Sequence, residues 1–205
     1  MESYITVKKE GAFEYEDRKS VFIGKAKPVS SEAEALEFIA SVKKEYPDAR
    51  HHVYAYVLRE NQTMRFSDDH EPQGTAGMPV LDAIRKRGCT DVAIVVTRYF
   101  GGTLLGTGGL VHAYSASAVG ALNDAEIVVF DIYSEMQIEC SYSDYQKILP
   151  ALSELSFRED ETVYGENVLI RGSILKVKSA ALIDNLIQIT SARAKAEILT
   201  EKYGI

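Results

Sequence analysis

VAIVVTRYFGGTLLGTGG, residues 92–109, is the stretch on which the reading of this chain turns. Val92 to Val96 is a continuous apolar run, as expected of a strand covered on both faces. Thr97, Arg98 and Tyr99 follow at its exit, then a loop carrying Gly101, Gly102, Gly106, Gly108 and Gly109. A helix rich in Ala, Ser and Gly is expected from Gly109 to Leu122, its small residues allowing another element to approach closely. Strand, glycine loop and helix in that order can set backbone N–H groups and a helix N-terminus around an anion. A guanidinium at Arg98 and an aromatic ring at Tyr99 suit a phosphate and a base respectively. The alternative role of the glycines is to serve tight turns and close helix–sheet packing. The loop is not a Walker A motif: Gly101 and Gly106 have the spacing, but Thr107 stands where the lysine belongs. Nor is it a dinucleotide fingerprint, because Val111 occupies the sixth position counted from Gly106. No cofactor is expected.

Upstream lies SDDHEPQGTAGMP, residues 67–79. Asp68, Asp69, His70 and Glu71, with His51 and His52 earlier in the chain, offer oxygen and imidazole ligands for a divalent metal or groups for acid–base work. Adjacent residues on one loop do not all point into one site, and no defined ligand spacing is present. Solvated turn carboxylates are the commoner outcome. Ser67, Ser115 and Ser117 occur, as do His51 and His112, but no nucleophile signature accompanies them. Arg85, Lys86 and Arg87 close a short helix that begins near Pro79 and stops at Gly88, where they complement the helix dipole.

The chain has 205 residues, of which 46% are hydrophobic and 26% charged, enough for one large or two small domains with a real core. Net charge is −7, and neither half is basic: residues 1–132 carry 15 Lys and Arg against 19 Asp and Glu, residues 133–205 carry 8 against 11. A generally basic nucleic-acid or membrane-surface coat is excluded, and any RNA contact must be a local patch. DNA binding is not expected. Two cysteines, Cys89 and Cys140, suggest reduced buried thiols rather than a disulfide framework or a metal site. No apolar run approaches a membrane span and MESYITVKKEG has no signal-peptide core, so a cytoplasmic location without membrane contact is expected.

In chain order, short strands at 3–7 and 12–15 flank Gly11, and Lys19 to Val29 alternates as a strand with Val21 and Ile23 on one face. Ser31 and Glu34 form a capping box for a helix over 32–46, ended by Pro47. Residues 52–58 and 63–66 read as a hairpin, and 127–132 as the last strand of this part. From 133 the pattern changes to strand 134–141, helix 143–155, hairpin 157–163 and 166–177, helix 179–193 and strand 195–201. That order, βαββαβ, is the ferredoxin-like unit. Two domains are expected, 1–132 and 133–205, in an α+β class.

KSVFIG at 19–24, ARHHVYAY at 49–56, SDDHEPQGTAGMPVL at 67–81 and VVTRYFGGTLLGTGGLVHAYS at 95–115 resemble the YigZ/IMPACT family in its bacterial two-domain form. The resemblance implies an N-terminal ribosomal protein S5 domain 2-like α/β sandwich. It also implies a ferredoxin-like C-terminal domain similar to one in elongation factor G. Eukaryotic relatives act in translational control, competing for the ribosome-associated activator of the amino-acid-starvation kinase. RNA, the ribosome or a translation-associated protein is therefore the expected partner, held through loops 67–74 and 98–109, with the second domain supplying a docking sheet. The family brings no established catalytic residue. The rival expectation is a metal-assisted hydrolase of a phosphorylated or nucleotide-like substrate, with Asp68, Asp69 and Glu71 as ligands or acid–base groups. This chain departs from the family pattern at His70, where glycine is usual, which speaks against a turn that demands φ > 0.

Overall fold

The structure is a computed structural model and describes residues 2–205. It divides into two compact units, Tyr4–Val129, and Phe130–Ile205 together with Glu2 and Ser3. Both are mixed α and β with antiparallel sheets, the two-domain α+β architecture expected.

In the first unit, β1 (Tyr4–Val7) bridges Cys89 through Ile5. The main sheet is formed by β2 (Gly11–Asp17), β3 (Ser20–Pro28), β4 (His51–Val57), β5 (Met64–Ser67) and β6 (Val92–Tyr99). Its order is β2-β3-β6-β4-β5, so β6 lies at the centre. Successive side chains of a strand point to opposite faces. Val92, Ile94 and Val96 join Phe22, Val53 and Ala55 in one core, which also takes in side chains of α2 (Gly77–Lys86) and α3 (Gly106–Asp124). Ala93 and Val95 join Tyr56 and Leu58 in a second core with α1 (Glu32–Glu45). That is why 92–96 reads as an unbroken apolar run. In β3 the buried face is Ser20, Phe22, Gly24 and Ala26, while Val21 and Ile23 are half-buried on the other.

Local chemistry sets the helix ends. Ser31 Oγ accepts the Glu34 N–H, while the Glu34 carboxylate reaches Ser30 N–H at 2.7 Å, one residue earlier than a standard box. α2 stops at Arg87 and turns left-handed at Gly88, φ 64°. α3 begins at Gly106, three residues before the expected Gly109, and Gly106 enters it at a left-handed φ of 75°. Its small residues bring it against the sheet: a Cβ on Gly24 would collide with the Ser117 carbonyl.

The second unit contains β7 (Ile127–Cys140) from Phe130 onward, α4 (Tyr142–Glu154), β8 (Arg158–Tyr164), β9 (Val168–Leu175), α5 (Lys176–Thr190) and β10 (Lys195–Gly204). The strands run β10-β7-β9-β8, all antiparallel, which is the ferredoxin-like arrangement. Met136, Ile138, Ile148, Ile170, Leu182 and Leu186 centre its core. The strands expected at 127–132 and 134–141 are one strand, since no glycine or proline interrupts 127–140 and β10 pairs with it from Asp131 to Glu139. Asp144, in the first turn of α4, is fully buried, and Arg193 followed by Lys147 holds its carboxyl well below the usual range. On the helix-free face Glu135 is tied to Lys202, Glu139 to Asn167 and Glu161 to Arg171. The face expected to dock RNA is thus a lattice of paired charges. β8 is an edge strand, bulged between Glu159 and Glu161. Cys89 and Cys140 are free and buried. Among the described residues, no helix is long and apolar enough to cross a membrane.

Candidate functional site

Ladder register gathers the chemistry-bearing loops at one end of the first unit's sheet. Arg98 lies opposite both Phe22 of β3 and His51 of β4, and β5 ends at Ser67 opposite Tyr54. The acidic turn, the β2–β3 hairpin tip, the glycine loop and the start of α3 all follow from these strand ends.

Each acid of the turn has its own internal partner. Ala76 stands at the N-cap of α2 and has no capping side chain. The Asp68 carboxylate supplies the cap, accepting N–H groups of Gly74, Ala76 and Gly77 at 2.9, 3.1 and 2.8 Å. Asp69 Oδ2 accepts the His52 N–H at 2.6 Å, and the Asp69 carbonyl meets His51 Nδ1 at 2.9 Å. Glu71 turns inward. Its Oε1 accepts Arg98 Nη1 at 2.6 Å and the Tyr114 hydroxyl at 2.7 Å. The Arg98 and Glu71 side chains are only 7% and 4% exposed, so this is a buried pair. Burial, and then the Glu71 carboxylate, push the Tyr114 phenol far above its ordinary pKa. His52, also buried, meets Thr97 Oγ1 at 3.1 Å, and burial lowers its pKa against the pull of Asp69.

Two expectations change here. The acidic turn does not assemble a metal set: its carboxylates diverge, and among the described residues no three His, Cys, Asp or Glu side chains are grouped to hold an ion. His70, expected to argue against a left-handed turn, has φ 71°, and Asp69 before it has φ 41°; the turn is left-handed despite the side chains. His70 is itself exposed.

Arg98 does not stand at the mouth of the glycine loop. It shares the face of Val92, Ile94 and Val96 and lies beneath the turn, its Nε without a hydrogen-bond partner. Its guanidinium carbon sits 5.4 Å from the Phe22 ring centre and 5.6 Å from that of Phe100. Tyr99 is half-buried opposite Val21, on the opposite face of β6 from Arg98.

The glycine loop presents backbone. Gly102 and Gly106 have φ 86° and 75°, and a Cβ on Gly102, Gly106 or Gly108 would meet nothing within 4 Å. Gly101 differs: a Cβ there would overlap the backbone of Lys19 and Ser20, and its N–H donates to Ser20 Oγ at 3.1 Å. Gly109 packs on Leu105. The first turn of α3 has no side-chain cap. Phe100 and Leu104 are 52% and 80% exposed. Arg18 Nη1 donates to the Leu104 carbonyl at 3.2 Å, fixing the hairpin tip over the loop. Ser117 is buried in α3, and its hydroxyl has no partner. The end of the sheet therefore offers backbone donors, cations and apolar tips, and its hydroxyl–imidazole contact, Thr97 with His52, is buried away from them.

Sequence reasoning missed Tyr114, Arg18, Lys19 and Phe100. Period-two counting from Val92 carries the signal for Arg98 facing a packed layer, and Tyr114 lies on the α3 face turned toward it.

Residues 18–122 match the Impact N-terminal domain, and residues 138–193 match a domain of unknown function (DUF1949). The IMPACT family member YvyE of Bacillus subtilis is 38% identical over 195 residues, covering 95% of this chain and 90% of that protein. The IMPACT family member YigZ of Escherichia coli is 36% identical over 168 residues, covering 80% and 82%. A crystal structure of a hypothetical protein, 32% identical, superposes with a TM-score of 0.61 over 98% of both chains.

Proposed function

This chain belongs to the IMPACT family, and from that premise we propose that it is a cytoplasmic, translation-linked binding protein that contacts the ribosome through loop 98–109. Turn 67–74 serves this contact from beneath, by holding Arg98 and the start of α2. One observation carries the reading. The carboxylates that a hydrolase would need are each engaged with internal donors, while the neighbouring loop exposes Phe100, Leu104 and open glycine backbone. A surface of this kind suits binding rather than bond making. The translational role implied for eukaryotic relatives supports the choice of partner.

Co-sedimentation of the full chain with ribosomes, at low and at high salt, tests the proposal. The expected result is a pelleted fraction that salt releases, as phosphate contacts require. Protein that stays in the supernatant at low salt would overturn it.

A further inference from the structure

We propose that the loop end of the first unit's sheet is a single-stranded RNA contact. Arg18, Lys19 and Arg50 meet phosphates there, and the exposed ring of Phe100 stacks on a base. The proposal rests on the ribosome-linked reading above and names the chemistry of the partner.

Charge is the first observation. The chain is acidic overall, yet exposed cations gather at this end. Arg18 and Lys19 form the tip between β2 and β3, both left-handed at φ 47° and 65°. Arg50 precedes His51, whose ladder partner is Arg98, so Arg50 reaches the same end two strands away from the hairpin. At roughly 4.8 Å per strand, the three cations span about the width of a short stretch of nucleic-acid backbone. All three are exposed, and none forms an ion pair among the described residues. The acids Asp68, Asp69 and Glu71, which lie at this same end, are bound to internal donors. Glu16, Asp17 and Asp48 lie within two residues of these cations in the chain.

The ring is the second observation. Phe100 is 52% exposed, although a phenyl group gains by burial. The Arg98 guanidinium, itself held by Glu71, stands 5.6 Å from its centre. The buried ion pair therefore has a second consequence: it backs an aromatic platform at the edge of a cationic rim. Gly101 completes the geometry, since only a residue without Cβ lets the hairpin tip close onto the segment that follows Phe100. Cations beside a supported aromatic ring are what a single strand uses, phosphates on the charges and a base on the ring. An acidic protein surface would use the charges alone.

The test is fluorescence anisotropy of the full chain with a labelled oligouridylate across a potassium chloride series, run beside ribosome co-sedimentation. Arg18→Gln with Lys19→Gln should reduce the slope of log affinity against log salt by about 1.4, at about 0.7 for each phosphate contact. Phe100→Ala should weaken binding about tenfold or more without changing that slope, and Phe100→Trp should restore it. Lys8→Gln with Lys9→Gln, at the opposite end of the unit, should change neither. Wild-type protein that binds the oligonucleotide while the Arg18/Lys19 and Phe100 variants match it would overturn this contact and leave the ribosome reading standing. Ribosome binding that needs Arg18 and Lys19, with no oligonucleotide binding at all, would overturn RNA in favour of an acidic protein surface. Absence of both activities in the wild type would overturn the inference and the reading beneath it together.

Discussion

Glu71, Arg98 and Tyr114 show how a charge can be placed for structure in a segment that looks built for ligands. Removing one partner of a buried pair leaves the other charge uncompensated, and that costs more than the pair contributes. Glu71→Gln should therefore lower unfolding free energy by about 3 kcal/mol in a urea titration. Adding Arg98→Met to Glu71→Gln should recover much of the loss. An additive double variant would mean that the two side chains are not coupled. The sequence presents Arg98 simply as a cation beside five glycines. Alternation along β6 puts it on the face of Val92, Ile94 and Val96, but alternation does not say which helices cover that face. Tyr114 and Glu71 lie 43 positions apart in the chain, and only the tertiary fold brings them together. His70 is a case of the opposite kind, in which a side chain at a position suited to glycine failed to report the backbone beneath it.

Among the elements, α2 depends most on a residue outside itself. Its first N–H groups are capped from Asp68, eight and nine positions before Ala76 and Gly77 accept that role as donors. Asp68→Ala should lower stability by about 1–2 kcal/mol, in the range of lost helix caps, and Asp68→Asn should retain part of it. Equal melting of wild type and Asp68→Ala would show that the cap is dispensable. Elements with local signals were legible: Ser31 with Glu34 at the start of α1, Pro79 and Gly88 around α2, the apolar run of β6. Starts set by distant groups were not. α3 starts at Gly106 rather than Gly109, and neither a capping side chain nor a local sequence signal marks that start. The end of β7 expected near 132 was likewise absent, because a change of pattern there is a change of packing partner within one continuous strand.

For the whole molecule, the cores of the two units share no residue. We predict that fragments cut at the boundary between the units, 1–129 and 130–205, each fold alone and each show a cooperative melt. Fragments that acquire structure only on mixing would show that the unit boundary is misplaced. The fold class was legible in the order of elements, since βαββαβ specifies a four-stranded arrangement once every helix crosses one way. The candidate site was legible as a location, the turn and loop flanking β6, but not as a set of roles, which depend on which acids find internal donors. β8 carries one more consequence. Its outer edge has unpaired backbone groups, the usual template on which identical chains stack into filaments. Glu159, Asp160 and Glu161 occupy that edge, and the bulge between Glu159 and Glu161 breaks its spacing. Two such edges repel and fall out of step when they meet, so copies of this chain are hindered from joining through β8.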